Sequence, residues 1–292
     1  MFIEQLAQQP ALYASCLILF GLLVGSFLNV VILRLPKSLQ YQWISQCQEL
    51  LAQQDTGSAE QPPTLSFPAS HCPKCKAPLK WWQNTPVISY ILLRGKCHSC
   101  QQTIPLRYPL VEILTAVLTL ISGLTFPETA VLPWILIAVC LLISMTFIDL
   151  DTQLLPDNLT LPLMWLGLLF SMTAKSFVTP QEAILGAAIG YMVLWLLFQV
   201  HYFITKKEGM GYGDFKLLAA AGAWLGLQHL PYILLIAAIS GLFVAMILII
   251  FKNHQRDQAI SFGPYLALGF LINLFWGKML ISQYLGFIGV TA

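Results

Sequence analysis

Long apolar runs separated by short polar segments dominate the hydropathy pattern of the chain. A helix needs about 20 mainly apolar residues to cross the hydrocarbon core of a bilayer, and the pattern predicts eight such segments. Their approximate bounds are 11–33, 109–126, 130–148, 158–173, 183–204, 215–230, 231–251 and 262–284. The fourth and sixth are short for a membrane span. We therefore expect an all-α polytopic membrane protein with about eight transmembrane helices.

The composition supports a membrane protein and excludes a soluble one. About a quarter of the residues in a typical soluble domain are charged, whereas 10% of these 292 residues are charged and 57% are hydrophobic. So few charged side chains cannot solvate the surface of two soluble domains. The net charge of +2 is too small to indicate nucleic-acid binding.

The first apolar segment is expected to remain as a membrane span. No basic residue precedes it, it is long for a secretory signal, and it runs directly into Arg34 and Lys37. Since Lys and Arg accumulate on the cytoplasmic side of a membrane, these two bases place the N-terminus outside.

Alternating the eight predicted spans from that starting point tests the orientation against all the other basic residues. Of the 15 Lys and Arg residues, 13 fall on the predicted inner side and two on the outer side. The two outer residues are Lys175 and Lys278. The predicted topology therefore has both termini outside and the larger polar segments inside.

The largest polar segment, residues 34–108, separates the first two spans. It holds eight basic and three acidic residues, a local net charge of +5, which would attract it to anionic lipid. Within it, the Gln-rich stretch 40–54 is expected to form a short helix and 55–70 a linker. The predicted organisation is a first transmembrane helix at 1–33, a cytoplasmic insert at 34–108 and a transmembrane domain at 109–292.

Four of the seven cysteines form two CxxC pairs in this insert, Cys72/Cys75 and Cys97/Cys100, with 21 residues between them. Each CxxC turn aims two thiolates at one point, and two such turns supply the closed tetrahedral shell of a structural zinc. A redox pair or two disulfides are the alternatives, although the cytoplasm keeps thiols reduced. Zinc is the favoured interpretation.

Acidic residues follow the third predicted span. Asp149 comes directly after the apolar run, Asp151 lies two residues further, and Asp157 precedes the fourth span. Ionisable groups at the membrane edge are costly and usually functional. Asp149 lies closest to the apolar region, whereas Asp151 could face water and Asp157 is expected to cap the next helix.

A second acidic residue of interest, Asp214, follows glycines at positions 209, 211 and 213. Alternating glycines allow the backbone to approach a substrate closely, and the start of the sixth span favours an ionised carboxylate. The predicted topology places Asp149 and Asp214 at the same membrane face. Two carboxyl groups in a poorly solvated site share a proton and can act as base and acid, as in aspartic proteases. A proton- or metal-coupled transporter, or a non-enzymatic zinc-bearing assembly factor, remains an alternative.

The motifs resemble those of the type IV prepilin peptidases, the bifunctional leader peptidases and N-methyltransferases of type IV pilus and type II secretion systems. The resemblance covers essentially the whole chain. It is carried by the two CxxC pairs and by residues 25–30, 34–36, 107–112, 149–157, 209–216 and 262–265. Residues 211–214, Gly-Tyr-Gly-Asp, also resemble the GxGD signature of presenilin-type intramembrane aspartyl proteases.

The resemblance implies an activity and its participants. The catalytic aspartates would be Asp149 and Asp214, and the substrates would be prepilins and pseudopilins cleaved after a Gly at the cytoplasmic face of the bacterial inner membrane. S-adenosylmethionine would then methylate the new N-terminus. Gly95 matches a family position tied to methyl transfer, although a turn glycine beside the second CxxC explains it equally well. The sequence contains no GxGxxG motif of the Rossmann type.

Overall fold

In the computed structural model, the predicted apolar segments form helices. The structure describes residues 9–50, 64, 66–207, 209–252 and 261–287. Two 3₁₀ turns, Trp81–Asn84 and Leu227–His229, accompany the helices. The α-helices are α1 (Pro10–Leu50), α2 (Ile88–Leu92), α3 (Arg107–Thr125), α4 (Leu132–Thr152), α5 (Asp157–Ser171), α6 (Pro180–Thr205), α7 (Tyr212–Leu225), α8 (Leu230–Lys252) and α9 (Gly263–Phe287). The described residues contain two isolated β-bridges and no strand. The predicted all-α fold is confirmed.

Six helices of the described chain are long and apolar enough to cross a membrane: α1, α3, α4, α6, α8 and α9. The protein is therefore a multi-pass membrane protein. Helices α5 and α7 have 15 and 14 residues, which corresponds to about 21–23 Å at a rise of about 1.5 Å per residue. Both are shorter than the roughly 30 Å hydrocarbon core, and they correspond to the two short predicted spans.

The chain divides into two compact units, Met1–Leu124 and Thr125–Ala292. In the first unit, α1 is longer than predicted. It continues past residue 33, through Pro36, into the Gln-rich stretch, so the separate short helix is absent between residues 33 and 50. The predicted linker at 55–70 lies largely outside the described residues.

Small residues bring α1 and α3 close together in the first unit. A Cβ atom at Gly21 would lie 2.6 Å from Cα of Ala116, and one at Gly25 would lie 2.7 Å from Cα of Glu112. Membrane helices often approach each other over such small residues. Polar contacts at both ends support the pair: the Tyr13 hydroxyl donates to the Gly123 carbonyl, and the Asn29 side-chain amide donates to the Tyr108 carbonyl.

Helix α7 is the buried centre of the second unit. Between Asp214 and Leu225 every residue is buried except the partly exposed Lys216, and the helix packs against α5, α6 and α9. A helix surrounded by protein need not match the thickness of the bilayer, which accounts for its short length. Its Trp224 is fully buried, and the indole N–H donates to the Leu163 carbonyl at 2.9 Å.

Two glycines set the distance between α6 and α7. A Cβ atom at Gly222 would overlap the carbonyl oxygen of Gly186 on the facing helix. Since both contacting groups are backbone, relief requires the helices to move apart, and overpacking of this kind costs about 1–3 kcal/mol or more. We expect Gly222→Ala to lower the thermal unfolding temperature of the purified protein clearly.

The matched control for this substitution is Gly286→Ala near the end of α9, where an added Cβ meets no atom within 4 Å. It tests the general effect of Gly→Ala in a helix of this protein. Equal unfolding temperatures for the two variants, measured in the same detergent, would contradict the close packing of α6 on α7.

Candidate active site and metal centre

Asp149 lies in the last turn of α4 on the helix face that packs into the second unit. Leu142, Met145 and Ile148 on the same face are fully buried, and Asp149 itself is 5% exposed. Asp151, two residues further, is exposed. Of the two neighbouring acids, Asp149 is therefore the one enclosed by protein.

Asp214 lies in the first turn of α7 and is 7% exposed. Gly211 is the N-cap residue of this helix. Gly213 allows the loop that follows α4 to pack against the start of α7, because a Cβ atom at this position would lie 2.5 Å from Cβ of Leu155. Of the alternating glycines, Gly213 thus brings the segment after Asp149 directly onto the segment that carries Asp214.

The carboxylates of Asp149 and Asp214 are close enough to interact electrostatically. The Oδ2 atom of Asp149 is buried and has no hydrogen-bond partner among the described residues. A buried carboxylate oxygen without a partner is costly in a structural site. An unpaired carboxylate oxygen of this kind beside a second buried carboxyl group is typical of a site that transfers a proton or binds water or a substrate atom.

A third segment, at the start of α9, completes the surroundings of Asp149. The Ser261 hydroxyl donates to the Asp149 backbone carbonyl at 3.1 Å, and the backbone N–H of Gly263 faces the Asp149 carboxylate. A Cβ atom at Gly263 would lie 2.6 Å from Oδ2 of Asp149. The site therefore requires glycine at this position so that the carboxylate can reach the backbone.

The sequence predictions did not assign a role to this third segment. Residues 262–265 contributed only to the family resemblance, although the predicted topology places them at the same membrane face as both aspartates. A Gly-Pro pair at the start of a span on that face is the signal that could have identified Gly263.

The expectation that Asp157 caps α5 is wrong. The N-cap residue of α5 is Pro156, and it makes no side-chain capping bond. Asp157 is instead the first helical residue, and its carboxylate forms an ion pair with Lys216 of α7. Since Lys216 lies two residues after Asp214, this pair joins the start of α7, which carries Asp214, to the start of α5, the helix that follows Asp149.

The two CxxC segments of the first unit fold as a pair of equivalent turns. In each, the N–H of the first cysteine donates to the carbonyl five residues later, at Ala77 and Gln102 respectively. In each, the residue four positions after that cysteine, Lys76 or Gln101, has a positive φ and donates back to it. An isolated antiparallel bridge closes each turn.

These turns bring the four cysteines predicted as ligands together: Cys72, Cys75, Cys97 and Cys100. All four Sγ atoms lie within 4.8 Å of one another, and those of Cys72 and Cys100 are 3.8 Å apart. Four thiolates at about 2.3 Å from a zinc ion form a tetrahedron with edges of about 3.8 Å. The arrangement thus fits one tetrahedral metal ion.

The surroundings of Cys72 favour its thiolate form, whereas burial and the neighbouring thiols raise the pKa of Cys75 to about 11. Backbone N–H groups of Cys75 and then Lys74 lower the pKa of the Cys72 thiol to about 6. Backbone donors of this kind stabilise the deprotonated form that binds metal. The four residues can therefore hold a metal ion in the insert.

Gly95 is located in the turn that leads into the second pair. It has a φ of +67° and follows Arg94, which also has a positive φ. Its N–H donates to the Tyr90 carbonyl, and a Cβ atom would lie 2.8 Å from the Tyr90 hydroxyl. The backbone conformation alone requires glycine here, which supports the turn interpretation of this residue.

Two family models match the chain. Residues 19–126 match the model of the bacterial peptidase A24 N-terminal domain, and residues 136–246 match the type IV leader peptidase family. No solved structure matches the chain significantly.

Curated relatives align with the chain over nearly its full length, and all three described here are named prepilin leader peptidase/N-methyltransferase. The protein from Aeromonas hydrophila is 47% identical over 94% of this chain and 95% of its own. That from Legionella pneumophila is 46% identical (92% and 93% covered), and that from Pseudomonas aeruginosa is 42% identical (98% of both). The resemblance seen in the motifs is confirmed, and the chain belongs to the type IV leader peptidase family, peptidase A24.

Proposed function

We propose that this enzyme is a membrane aspartic endopeptidase that removes the short basic leader of type IV prepilins and type II secretion pseudopilins, and then N-methylates the new N-terminus. The observation that carries the peptidase proposal is the pair of buried, interacting carboxyl groups of Asp149 and Asp214. The names of the close relatives support both activities for this chain.

In this mechanism, one aspartate carboxylate removes a proton from a water molecule while the other, protonated, carboxyl group donates to the scissile carbonyl oxygen. The water oxygen bonds to the carbonyl carbon of the leader Gly. The tetrahedral intermediate then collapses, the C–N bond breaks, and the leaving nitrogen receives a proton. Neither carboxylate attacks the substrate, so no covalent acyl-enzyme forms.

The start of α9 would position Asp149 for this reaction. Gly263 lies against the Asp149 carboxylate, and the Ser261 hydroxyl donates to the backbone carbonyl of the same residue. These contacts would fix the carboxylate relative to Asp214. Rigid placement of this kind lowers the cost of reaching the transition state. The ion pair between Asp157 and Lys216 would hold the start of α5 against the start of α7.

The charge distribution supports an active site at the cytoplasmic face of the bacterial inner membrane, with both termini periplasmic. Of the 15 basic residues, 13 lie on the predicted inner side. The end of α4 with Asp149, the start of α7 with Asp214 and the segment that precedes α9 belong to that side in the same topology. A basic leader that remains in the cytoplasm would therefore reach the site without crossing the membrane.

Methyl transfer is assigned to the insert, residues 34–108, and cleavage to residues 109–292. S-adenosylmethionine would supply the methyl group to the amine released by cleavage. Gly95 retains a proposed link to methyl transfer, and the left-handed turn that it forms would shape the insert. The two activities thus use different parts of the chain and can be lost separately.

The four cysteines are proposed to hold a structural zinc ion that stabilises the insert, since four thiolates leave no open coordination position. We expect about one zinc per chain in the purified protein by elemental analysis and nearly none in Cys100→Ser. The matched control is Cys47→Ser, which removes an exposed cysteine of α1 outside the cluster. Purified protein with four free thiols and no metal would contradict the zinc site.

The function is tested with purified protein in liposomes, a prepilin and labelled S-adenosylmethionine. Mass spectrometry should detect a leader that ends in Gly and a mature product carrying one N-methyl group. Proton or metal flux across the liposome membrane without any cleavage would contradict the proposal and favour the transporter alternative.

A further inference from the structure

The short helix α2 of the insert has one face that packs and one that does not. On the packed face, the Tyr90 hydroxyl donates to the Ile104 carbonyl and closes over the Gly95 turn. On the opposite face, Ile88, Ile91 and Leu92 are 55%, 68% and 69% exposed. Positions i, i+3 and i+4 share one side of a helix, so these three side chains form a continuous apolar surface.

Trp81, in the 3₁₀ turn that contacts α2, is a further apolar side chain of this region and is 86% exposed. We call these four residues, Trp81, Ile88, Ile91 and Leu92, the α2 patch. Contiguous exposed apolar residues in a small folded segment mark a contact with another molecule or with a membrane. Neither the metal cluster nor the aspartate site accounts for the patch.

A hydrogen bond within the first unit fixes the position of α2 along the axis of α3. The N–H of Val87, the residue directly before α2, donates to Oε2 of Glu112 at 2.8 Å. Glu112 lies five residues inside α3, a candidate membrane span, which corresponds to about 8 Å along the helix axis. The start of α2 is thus held beside the body of α3 and not beyond its end.

The backbone at Val87 indicates that this position is enforced. Its φ is +57°, a region in which β-branched residues are rare because of steric clashes. Such a conformation persists when surrounding contacts over-determine it. The bond to the buried Glu112 is one such contact, so the start of α2 is anchored against α3, about one and a half turns from the beginning of that candidate span.

We propose that the α2 patch is inserted into the headgroup and outer acyl region of an anionic phospholipid membrane and holds the metal-binding insert on the bilayer surface. Exposed basic residues flank the patch at Lys80, Arg94 and Lys96, a combination typical of interfacial membrane segments. The same charges would repel a basic peptide leader, so lipid fits this surface and the leader of a substrate does not. The docking is independent of the catalytic role of the aspartates.

The experiment uses the full-length protein in nanodiscs that contain phosphatidylglycerol, with a photoreactive benzoylphenylalanine placed at Ile91. Position 91 is exposed, so the fold can accommodate the probe. A metal content equal to that of the unmodified protein would show that the insert is folded. A matched protein carries the probe at Ser99, an exposed residue between the second pair of cysteines. Lipid adducts are quantified by mass spectrometry after illumination.

We expect at least about five-fold more lipid adduct from position 91 than from position 99. Equal yields at the two positions would overturn the proposal, as would an adduct at position 91 that consists of a prepilin peptide added to the nanodiscs instead of lipid. Cleavage activity does not enter this readout, so failure of the peptidase proposal and failure of the docking proposal are distinguished.

Discussion

Replacing either Asp149 or Asp214 with Asn is expected to lower the rate of prepilin cleavage by about 1,000-fold or more. Each variant keeps the size of the side chain but removes the exchangeable proton or the base, and general acid–base catalysis contributes about 10²–10⁴-fold to a rate. Because the two groups act as one unit, the double variant should be little worse than either single variant. Processing of prepilin in membranes measures the effect.

Asp151→Asn is the matched control, because it makes the same chemical change at an exposed position of α4, the helix that also carries Asp149. It should cleave at nearly the wild-type rate. The Asp149 and Asp214 variants should still methylate a mature pilin that needs no cleavage, which shows that they are folded. Near-normal cleavage by either of them would contradict the proposed pair.

Gly263→Ala is expected to lower kcat for cleavage by about 100-fold. The added Cβ would lie 2.6 Å from Oδ2 of Asp149 and 3.0 Å from Cδ1 of Leu155, so the carboxylate must leave its place beside the α9 N-terminus. Misplacement of a catalytic group by about 1 Å can cost about 10²-fold in rate. Because substrate contacts elsewhere are untouched, KM should change much less than kcat.

Two glycines of the same helix serve as controls for Gly263→Ala. Gly286→Ala adds a Cβ in open space, whereas Gly269→Ala places one 2.7 Å from the Ile233 carbonyl, far along the helix from Asp149. The first should leave cleavage and stability unchanged, and the second should lower the unfolding temperature. If Gly263→Ala cleaves as fast as Gly286→Ala, its backbone does not position Asp149.

The membrane fold could be predicted largely from hydropathy. Every described helix of 14 or more residues coincides with a predicted span, because apolar runs of sufficient length have few alternatives to helices in lipid. Hydropathy is less informative for helices that are apolar but too short to cross the hydrocarbon core. Helices α5 and α7 are apolar but short, and hydropathy does not distinguish a helix surrounded by protein, such as α7, from one surrounded by lipid.

The end of α1 was also misjudged. Its apolar run stops near residue 33, but the helix continues to Leu50. The Gln-rich stretch was predicted to form a separate short helix, whereas α1 runs through Pro36 and continues into that stretch. Hydropathy predicts where a helix leaves the membrane, which is a different point from where the helix ends.

Much of the candidate site was predictable because its side chains are chemically unusual for their surroundings. Carboxyl groups at the edge of apolar runs identified Asp149 and Asp214, and paired spacing identified the four cysteines. Gly263 was missed because its contribution is the absence of a Cβ, which becomes evident only when Asp149 is packed against it. The Gly-Pro pair at the start of the last span was the one sequence signal at this position. The role of Asp157 was wrong because the helix begins at that residue, so its side chain is free to pair with Lys216.

The central claim, that Asp149 and Asp214 together activate water at the scissile peptide bond, is tested most directly with a hydroxyethylene isostere of that bond. Such a group imitates the tetrahedral intermediate, and transition-state analogues bind about 10²–10⁸-fold more tightly than substrates. The wild-type enzyme should bind the isostere at least about 100-fold more tightly than the matching peptide, and Asp149→Asn and Asp214→Asn should each lose that advantage. Equal affinity of the isostere for the wild-type enzyme and both variants would contradict the claim.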